Sequence, residues 1–143
     1  MLIGGSCHCR NVSFKLLWEP EPTDIPARAC TCSFCMKHGG VWTSCSTGSL
    51  VVSVADPASV SRYVFGTKTA QFHICMKCGV VPVVTSDIDG KLYAVVSVNA
   101  MEDIDPAFIK QASATFAMED EQSRLARRKR SWIPNVQFTN GDA

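Results

Sequence analysis

The sequence has almost no net charge and no long hydrophobic run. Its 14 basic and 13 acidic residues leave a net charge of +1, so no global attraction to nucleic acid or to an anionic membrane is expected. No stretch reaches the roughly 18 apolar residues of a membrane span, and the opening MLIGGSCHC lacks the charged and apolar regions of a signal peptide. Internal repeats and low-complexity tracts are also absent. These absences predict a soluble, cytoplasmic protein.

The length and the apolar pattern predict one small, mainly β domain. The chain has 143 residues, 46% of them hydrophobic, which suffices for a single core. In NVSFKLLW, Val12, Phe14 and Leu16 alternate with polar residues, as in a half-buried strand. Because proline cannot donate to a strand ladder, Pro82 predicts that its strand is an edge or bulged strand. Five further segments predict strands: SLVVSV, RYVFG, AQFHIC, VVPVVTS and KLYAVVSV.

Eight cysteines are the most informative feature of the composition. In a reducing compartment, cysteines hold metal or perform chemistry more often than they pair. A disulfide framework is the alternative, but the absence of a signal peptide and the tight clustering weigh against it. The cysteines occur as CHC (Cys7, Cys9), CTCSFC (Cys30, Cys32, Cys35), a single Cys45, and CMKC (Cys75, Cys78).

Two of these groups supply a complete set of zinc ligands. A C-x-C pair on an extended segment points both sulfurs to one face, and a C-x-x-C turn does the same. Each pair therefore provides two vertices of a tetrahedron. Cys7 and Cys9 together with Cys75 and Cys78 predict a closed, four-thiolate structural zinc site that joins the first strand to a later hairpin.

The cysteine triplet is expected to form a second, different site. Three protein ligands with a free fourth position are typical of a catalytic zinc, whose shell a water or a substrate atom completes. Cys45 or His38 could instead fill that position and make the site structural. We interpret Cys45 as a small buried thiol in a strand, whereas His38 before two glycines could equally be an exposed loop residue.

The remaining histidines and the neighbouring lysine have less specific interpretations. His8 and His73 lie beside cysteine ligands in sequence and are expected to face away from the metal. Lys37 and His38 follow the triplet and are candidates for proton transfer or anion binding, with a solvated loop position as the alternative for each.

The donor set of the second site favours thiol chemistry. Three thiolates give a zinc centre a net negative charge and make it a weaker Lewis acid than a three-histidine centre. Such a soft centre prefers sulfur substrates to hydrolysis. A substrate thiol, which ordinarily titrates near a pH of about 8.5, would be deprotonated on the metal near neutral pH. Its thiolate could then attack an aldehyde carbon.

The C-terminal segment changes from acidic to basic along FAMEDEQSRLARRKRSWIP, which matches the sign of a helix dipole. This pattern predicts a helix over roughly residues 117–130, ending before Pro134. The basic residues 127–130 could contact nucleic acid or phosphate. A solvated helix end balanced by the acidic residues 119–121 is the preferred interpretation. Trp132 and Ile133 are expected to pack the tail onto the domain or onto another subunit.

Three motifs together resemble one known family. GGSCHCRNVSF, CTCSFCMKHGG and FHICMKCG, in this order, are similar to the glutathione-dependent formaldehyde-activating enzyme family, which includes centromere protein V. The likeness covers residues 4 to about 103. It implies a zinc-containing β-tent of small coiled antiparallel sheets over residues 1–116. Residues 117–143 are then expected to form a helical tail packed on the same domain.

The resemblance also implies a cofactor and a reaction. It implies a carbon–sulfur lyase that joins the thiol of glutathione, or a similar thiol, to formaldehyde or a related aldehyde. A non-catalytic zinc-stabilised binding module is the alternative, although nucleic acid is not the expected partner, and a homodimer is left open. Two zinc ions per chain are implied, one structural on Cys7, Cys9, Cys75 and Cys78, and one catalytic on Cys30, Cys32 and Cys35.

Three departures from the family pattern leave the identity of the thiol open. Arg10 follows CHC where glycine is usual, and Met36 follows the triplet where a basic residue is common. The segment FIKQASATFAMEDEQ also lacks the histidine and following strand of many members.

Overall fold

The fold consists mainly of short strands arranged in two sheets, with two helices. The structure is a computed structural model and describes residues 1–140. The helices are α1, Ser33–His38, and α2, Glu121–Ser131. The strands are β1 Leu2–Ser6, β2 Val12–Leu17, β3 Ile25–Cys30, β4 Val41–Thr43, β5 Ser49–Val54, β6 Val60–Tyr63, β7 Gln71–Cys75, β8 Val83–Ile88, β9 Lys91–Ser97, β10 Met101–Glu102, β11 Ile109–Ala114 and β12 Asn135–Asn140.

Both sheets are mixed. The five-stranded sheet has the order β10-β1-β2-β5-β12, and the seven-stranded sheet has the order β11-β3-β4-β9-β8-β7-β6. Within residues 1–140, most neighbouring strands are antiparallel, but β12 runs parallel to β5 and β11 runs parallel to β3. The mainly β architecture with a C-terminal helix is therefore confirmed, and the two parallel pairs add to the expected antiparallel sheets.

Part of the core lies on one face of the neighbouring strands β2 and β5. Phe14 on β2 lies opposite Val52 on β5, and Leu16 lies opposite Leu50. All four side chains are buried. The period-two pattern therefore predicted the correct inward face of β2, because one face of this strand packs on the core and the other does not.

Each of the six predicted strands overlaps an observed strand, but one local expectation was wrong. Pro82 lies immediately before β8, and β8 is an interior strand between β7 and β9. Because Pro82 precedes the ladder, it need not donate there, while its carbonyl accepts the amide of Ser97. The triplet is reached through a strand, since β3 begins at Ile25 and leads directly to Cys30.

The C-terminal segment packs on the same domain but is only partly helical. Helix α2 begins after Asp120, whose carboxylate accepts the amide of Ser123, and it ends at Ser131 rather than at residue 130. Trp132 and Ile133 are buried, and Ile133 forms an antiparallel bridge with Ala94. Residues 135–140 then form β12, a strand that follows the helix within the predicted tail. Residues 141–143 of the predicted tail lie outside the described residues.

Neither helix within residues 1–140 combines the length and the apolar character that a membrane crossing requires.

Candidate metal centre and adjoining cavity

Four cysteine sulfurs from two distant parts of the chain converge in one place. The Sγ atoms of Cys7 and Cys9 lie 3.8 Å apart, and those of Cys9 and Cys75 lie 3.5 Å apart. The sulfurs of Cys7, Cys9, Cys75 and Cys78 all lie within 4.8 Å of one another. Zinc–sulfur bonds of about 2.3 Å in a tetrahedron require sulfurs about 3.8 Å apart. This four-cysteine cluster therefore has the spacing and the donor atoms of a structural zinc site.

Two tight turns position these sulfurs. After β7, the amide of Gly79 donates to the carbonyl of Cys75 at 2.7 Å, and Gly79 has a φ of +80°, which only glycine adopts without cost. After β1, the amide of Arg10 donates to the carbonyl of Cys7 at 3.1 Å with a φ of +68°. Glycine adopts this left-handed backbone conformation more readily than arginine does. Here the Arg10 guanidinium also pairs with Glu102 at 2.8 Å.

Two thiols of the four-cysteine cluster have pKa values shifted in opposite directions. Burial raises the pKa of Cys7 to about 12, with the neighbouring thiols adding to the rise. At Cys78, burial opposes ionisation, but the backbone amides of Val80 and Cys9 and hydrogen bonds from other thiols lower the pKa to about 6. Because a metal binds thiolates, loading this cluster releases protons and depends on pH.

The triplet forms a second cluster at the junction of β3 and α1. Cys30 ends β3, Cys32 is the N-cap of α1, and Cys35 lies buried within that helix. The amide of Cys35 donates to the Sγ of Cys32 at 3.4 Å, and the indole of Trp42 donates to the Sγ of Cys35 at 3.4 Å. The three sulfurs lie within 4.8 Å of one another. We refer to them as the three-cysteine cluster.

Helix α1 was not predicted from the sequence, although the sequence contains capping signals for it. A cysteine at the N-cap accepts the amide three residues later, as a serine would. The helix ends at Gly39, which has a φ of +67°. A helix of six residues is too short to show an apolar stripe, so capping was the one available signal.

The thiols of the three-cysteine cluster are also coupled. A hydrogen bond from Cys35 lowers the pKa of Cys30 to about 5 against the opposing effect of burial, and the charge of Arg127 contributes. The same hydrogen bond, together with burial, raises the pKa of Cys35. Hydrogen bonds from its neighbours thus favour the thiolate form of the half-buried Cys30.

The other candidate ligands lie outside both clusters. Cys45 is buried, but it follows β4 rather than lying within a strand, and its thiol contacts the carbonyl of Glu19 at 3.5 Å. His38 is exposed at the end of α1, with its ring 4.4 Å from that of Phe34. Among the described residues, neither belongs to a group of ligand atoms with the triplet.

The two remaining histidines also stay away from the sulfurs. His8 is exposed and His73 is buried. The Nε2 atom of His73 lies 2.8 Å from the hydroxyl of Thr85. Burial, with a smaller effect of Arg62, lowers the pKa of His73 to about 4, so its ring is neutral at pH 7. Among the described residues, neither histidine belongs to a group of ligand atoms with the cysteines.

A cavity of about 430 Å³ adjoins the three-cysteine cluster. All three cysteines line it, whereas Lys37 and His38 do not. Its walls are largely aromatic and apolar, and apart from the cysteines its charged lining within residues 1–140 is basic. The aromatic residues are Trp42, Phe65, Phe72, Phe116 and Trp132, and the basic residues are Arg28, Arg124, Arg127 and Arg128. We refer to this space as the arginine cavity.

Arg127 and Arg128, near the C-terminal end of α2, line this cavity. Arg127 donates to Glu119 at 2.8 Å and lies 3.6 Å from the ring centre of Phe116. Arg128 is only 7% exposed. Lys129 pairs with Asp89. The interpretation of this segment as a solvated helix end was therefore wrong for Arg128, because the arginine packs between the helix and β8.

Comparison with known proteins identifies the family. The family model described as "Glutathione-dependent formaldehyde-activating enzyme" matches residues 2–119 of this chain. The chain belongs to that family. This match includes all the cysteines of both clusters and ends just before α2.

One curated relative carries the name of this family, and one solved structure is similar in fold. A curated protein of Halomonas elongata, provisionally named a glutathione-dependent formaldehyde-activating enzyme, is 33% identical over 85 residues, which are 54% of this chain and 52% of the relative. The chain thus matches only about half the length of this relative. A crystal structure of a Rhodobacter sphaeroides protein is similar in fold, with a TM-score of 0.52 and 27% sequence identity. That similarity covers 72% of this chain and 91% of the other.

Proposed function

We propose that this protein joins a thiol, glutathione or a similar compound, to formaldehyde or a related small aldehyde. The product is an S-hydroxymethyl adduct, and the enzyme also catalyses its breakdown, as a carbon–sulfur lyase. The observation that carries this proposal is the position of the three-cysteine cluster at the wall of the arginine cavity. The four-cysteine cluster, which does not line that cavity, has the structural role.

The three-cysteine cluster suits zinc with one position left for substrate. Its sulfurs are close enough to share one ion, and the described residues offer no fourth ligand atom beside them. When bound there by Cys30, Cys32 and Cys35, zinc would supply stabilisation of a substrate thiolate. The indole of Trp42, which donates to Cys35, fixes the orientation of that cysteine.

The cavity walls suit the chemistry of the adduct. Aromatic side chains beside the cysteines limit the access of water to a thiolate and so preserve its nucleophilicity. In the forward reaction the thiolate sulfur bonds to the carbonyl carbon, and the carbonyl π electron pair moves to oxygen. The proton released by the thiol ends on that oxygen. The reverse reaction breaks the same carbon–sulfur bond.

The experiment combines metal content with a rate measurement. Wild-type protein is expected to contain two zinc ions per chain and to accelerate exchange between formaldehyde and its glutathione adduct, observed by NMR with ¹³C-labelled formaldehyde. Cys32→Ser is expected to lose one zinc and the acceleration while still unfolding in one cooperative transition. Cys45→Ser is the matched control, because Cys45 is buried but outside both clusters, and it should retain both properties.

Two results would contradict the proposal. The first is a fully metal-loaded wild type that does not exceed the uncatalysed rate, which would favour a non-catalytic binding module. The second is a Cys32→Ser variant that unfolds as readily as a variant of the four-cysteine cluster, which would make the triplet structural.

A further inference from the structure

The arginine cavity contains more positive charge than the protein itself neutralises. Arg124 and Arg127 share the carboxylate of Glu119, at 3.4 Å and 2.8 Å. Within residues 1–140, Arg28 and Arg128 pair with no carboxylate. The cavity lining in this part of the chain includes no aspartate or glutamate. A cavity of this composition attracts an anion.

Within residues 1–140, the side chains of the two arginines without carboxylates donate hydrogen bonds only to neutral groups. One guanidinium nitrogen of Arg28 donates to the hydroxyl of Ser44 at 3.3 Å. One nitrogen of Arg128 donates to the hydroxyls of Thr69 and Ser86, at 2.8 Å and 3.2 Å. Each guanidinium has five donors, so both retain unused capacity. A planar carboxylate is the acceptor that matches this fork geometry.

Arg128 provides an independent sign of a missing acceptor. Its side chain is buried, and its Nε atom has no hydrogen-bond partner in the described part of the chain. Buried donors of native proteins are almost always satisfied, and a charged one is especially costly to leave unpaired. Burial lowers the pKa of Arg128 to about 10, so the group is still charged at neutral pH.

We propose that the arginine cavity selects thiols that carry a carboxylate, and that Arg28 and Arg128 bind this carboxylate. This inference rests on the proposed function for the presence of a thiol, but the carboxylate site is a separate feature. A cavity of about 430 Å³ is within the range of small-molecule sites and accommodates an acidic peptide thiol. Three of the four arginines come from α2, which lies outside the region of the family match. Of the two residues proposed to bind the carboxylate, Arg128 therefore lies outside the family-matched region and Arg28 lies within it.

The first test compares two thiols that differ only in charge. With 3-mercaptopropionate and its neutral amide as substrates, the zinc-loaded wild type should have a kcat/KM at least about tenfold higher for the acid, the effect expected of a charge-assisted hydrogen bond. Arg28→Gln should bring the ratio close to one, and Arg28→Lys should restore part of it. Arg130→Gln is the matched control, because Arg130 is exposed on α2 and does not line the cavity.

The second test measures binding without turnover. S-methylglutathione and its diethyl ester cannot form the adduct, and their binding can be followed by the fluorescence of Trp42 and Trp132 in the cavity wall. Wild type should bind the acid at least about tenfold more tightly than the ester, and Arg28→Gln should lose this difference. Since Arg128→Gln can fail to fold, Arg128→Lys is the second variant, and a weaker preference for the acid is expected.

The outcomes separate the two proposals. Turnover of both thiols at equal kcat/KM would overturn the carboxylate site and leave the proposed function intact. Arginine-dependent binding of S-methylglutathione without any acceleration of adduct formation would support the carboxylate site and overturn the proposed function. A wild type that neither binds S-methylglutathione nor prefers acidic thiols would overturn the carboxylate site.

Discussion

The Sγ atoms of Cys9 and Cys75 lie 3.5 Å apart, although 66 positions separate these residues in sequence. Cys9 lies in the turn between β1 and β2, and Cys75 ends β7, so this contact links the two sheets. A shared metal at this point therefore joins parts of the core that are far apart along the chain.

The four-cysteine cluster leads to the first prediction. Cys78→Ser is expected to lose one zinc and to be largely unfolded at neutral pH. Structural zinc contributes about 10–16 kcal/mol in small zinc-binding peptides, which rivals the net stability of a whole domain, about 5–15 kcal/mol. Zinc analysis and circular dichroism measure the two effects. A folded Cys78→Ser protein with one cooperative transition would show that this cluster is dispensable.

The close packing of β1 against β2 leads to the second prediction. Gly5 lies opposite Phe14, and a Cβ at Gly5 would overlap the Phe14 ring and lie 2.7 Å from the carbonyl oxygen of Ala100. Gly5→Ala should therefore lower the free energy of unfolding by about 1–3 kcal/mol. Gly4→Ala is the matched control, since a Cβ there would have no neighbour within 4 Å. Equal melting temperatures for the two variants would contradict the packing described here.

The sequence predicted the cysteine clusters well, because their ligand spacing is local. A C-x-C or C-x-x-C motif constrains where its sulfurs point before the rest of the chain has folded. The arginine cavity had no such pattern. Arg28 lies on β3, and Arg124, Arg127 and Arg128 lie on α2, so only the tertiary fold brings them to one cavity.

The strands, like the site residues, include some that local sequence predicts and some that it does not. Strand β2 alternates between buried and exposed residues and was therefore recognisable. Strands β11 and β12 lie at sheet edges with mostly exposed side chains, so they have no apolar alternation. Strand β3 contains Pro26, and proline is unfavourable inside a strand because it cannot donate to the ladder. Its position next to the edge strand β11 depends on contacts that the local sequence does not specify.

The ion pairs of Glu119 lead to a prediction about pH. Hydrogen bonds from Arg127 are the main cause that holds the pKa of Glu119 below its ordinary value of 4.5, burial opposes them, and Arg124 adds to the lowering. Because the folded pKa is lowered, the stabilisation is fully present above the unfolded pKa and is lost as the pH falls through the folded value.

Glu119→Gln should therefore be less stable than wild type near pH 7, by up to about 1 kcal/mol. This difference should shrink as the pH falls below the ordinary pKa of glutamate and vanish below the lower folded pKa. Urea unfolding of both proteins at a series of pH values measures it. Acid release of zinc affects both proteins alike and cancels in the difference. A difference that persists unchanged into acid would mean that packing, not charge, accounts for the effect.

The packing of the C-terminal segment against β9 leads to the last prediction. Ile133 is fully buried and bridges Ala94 on β9, next to the α2 arginines of the cavity. Ile133→Ala is expected to destabilise the whole protein by about 2–5 kcal/mol, because removing a buried side chain leaves a void in the shared core. The domain should still unfold in a single transition, observed by differential scanning calorimetry. Met118→Ala is the control, since Met118 is 99% exposed and should change stability by no more than about 0.5 kcal/mol. Two separate transitions in Ile133→Ala, with the zinc-binding part unaffected, would instead make the tail an independent unit, and the arginine cavity would then lose the rigid wall that its selectivity requires.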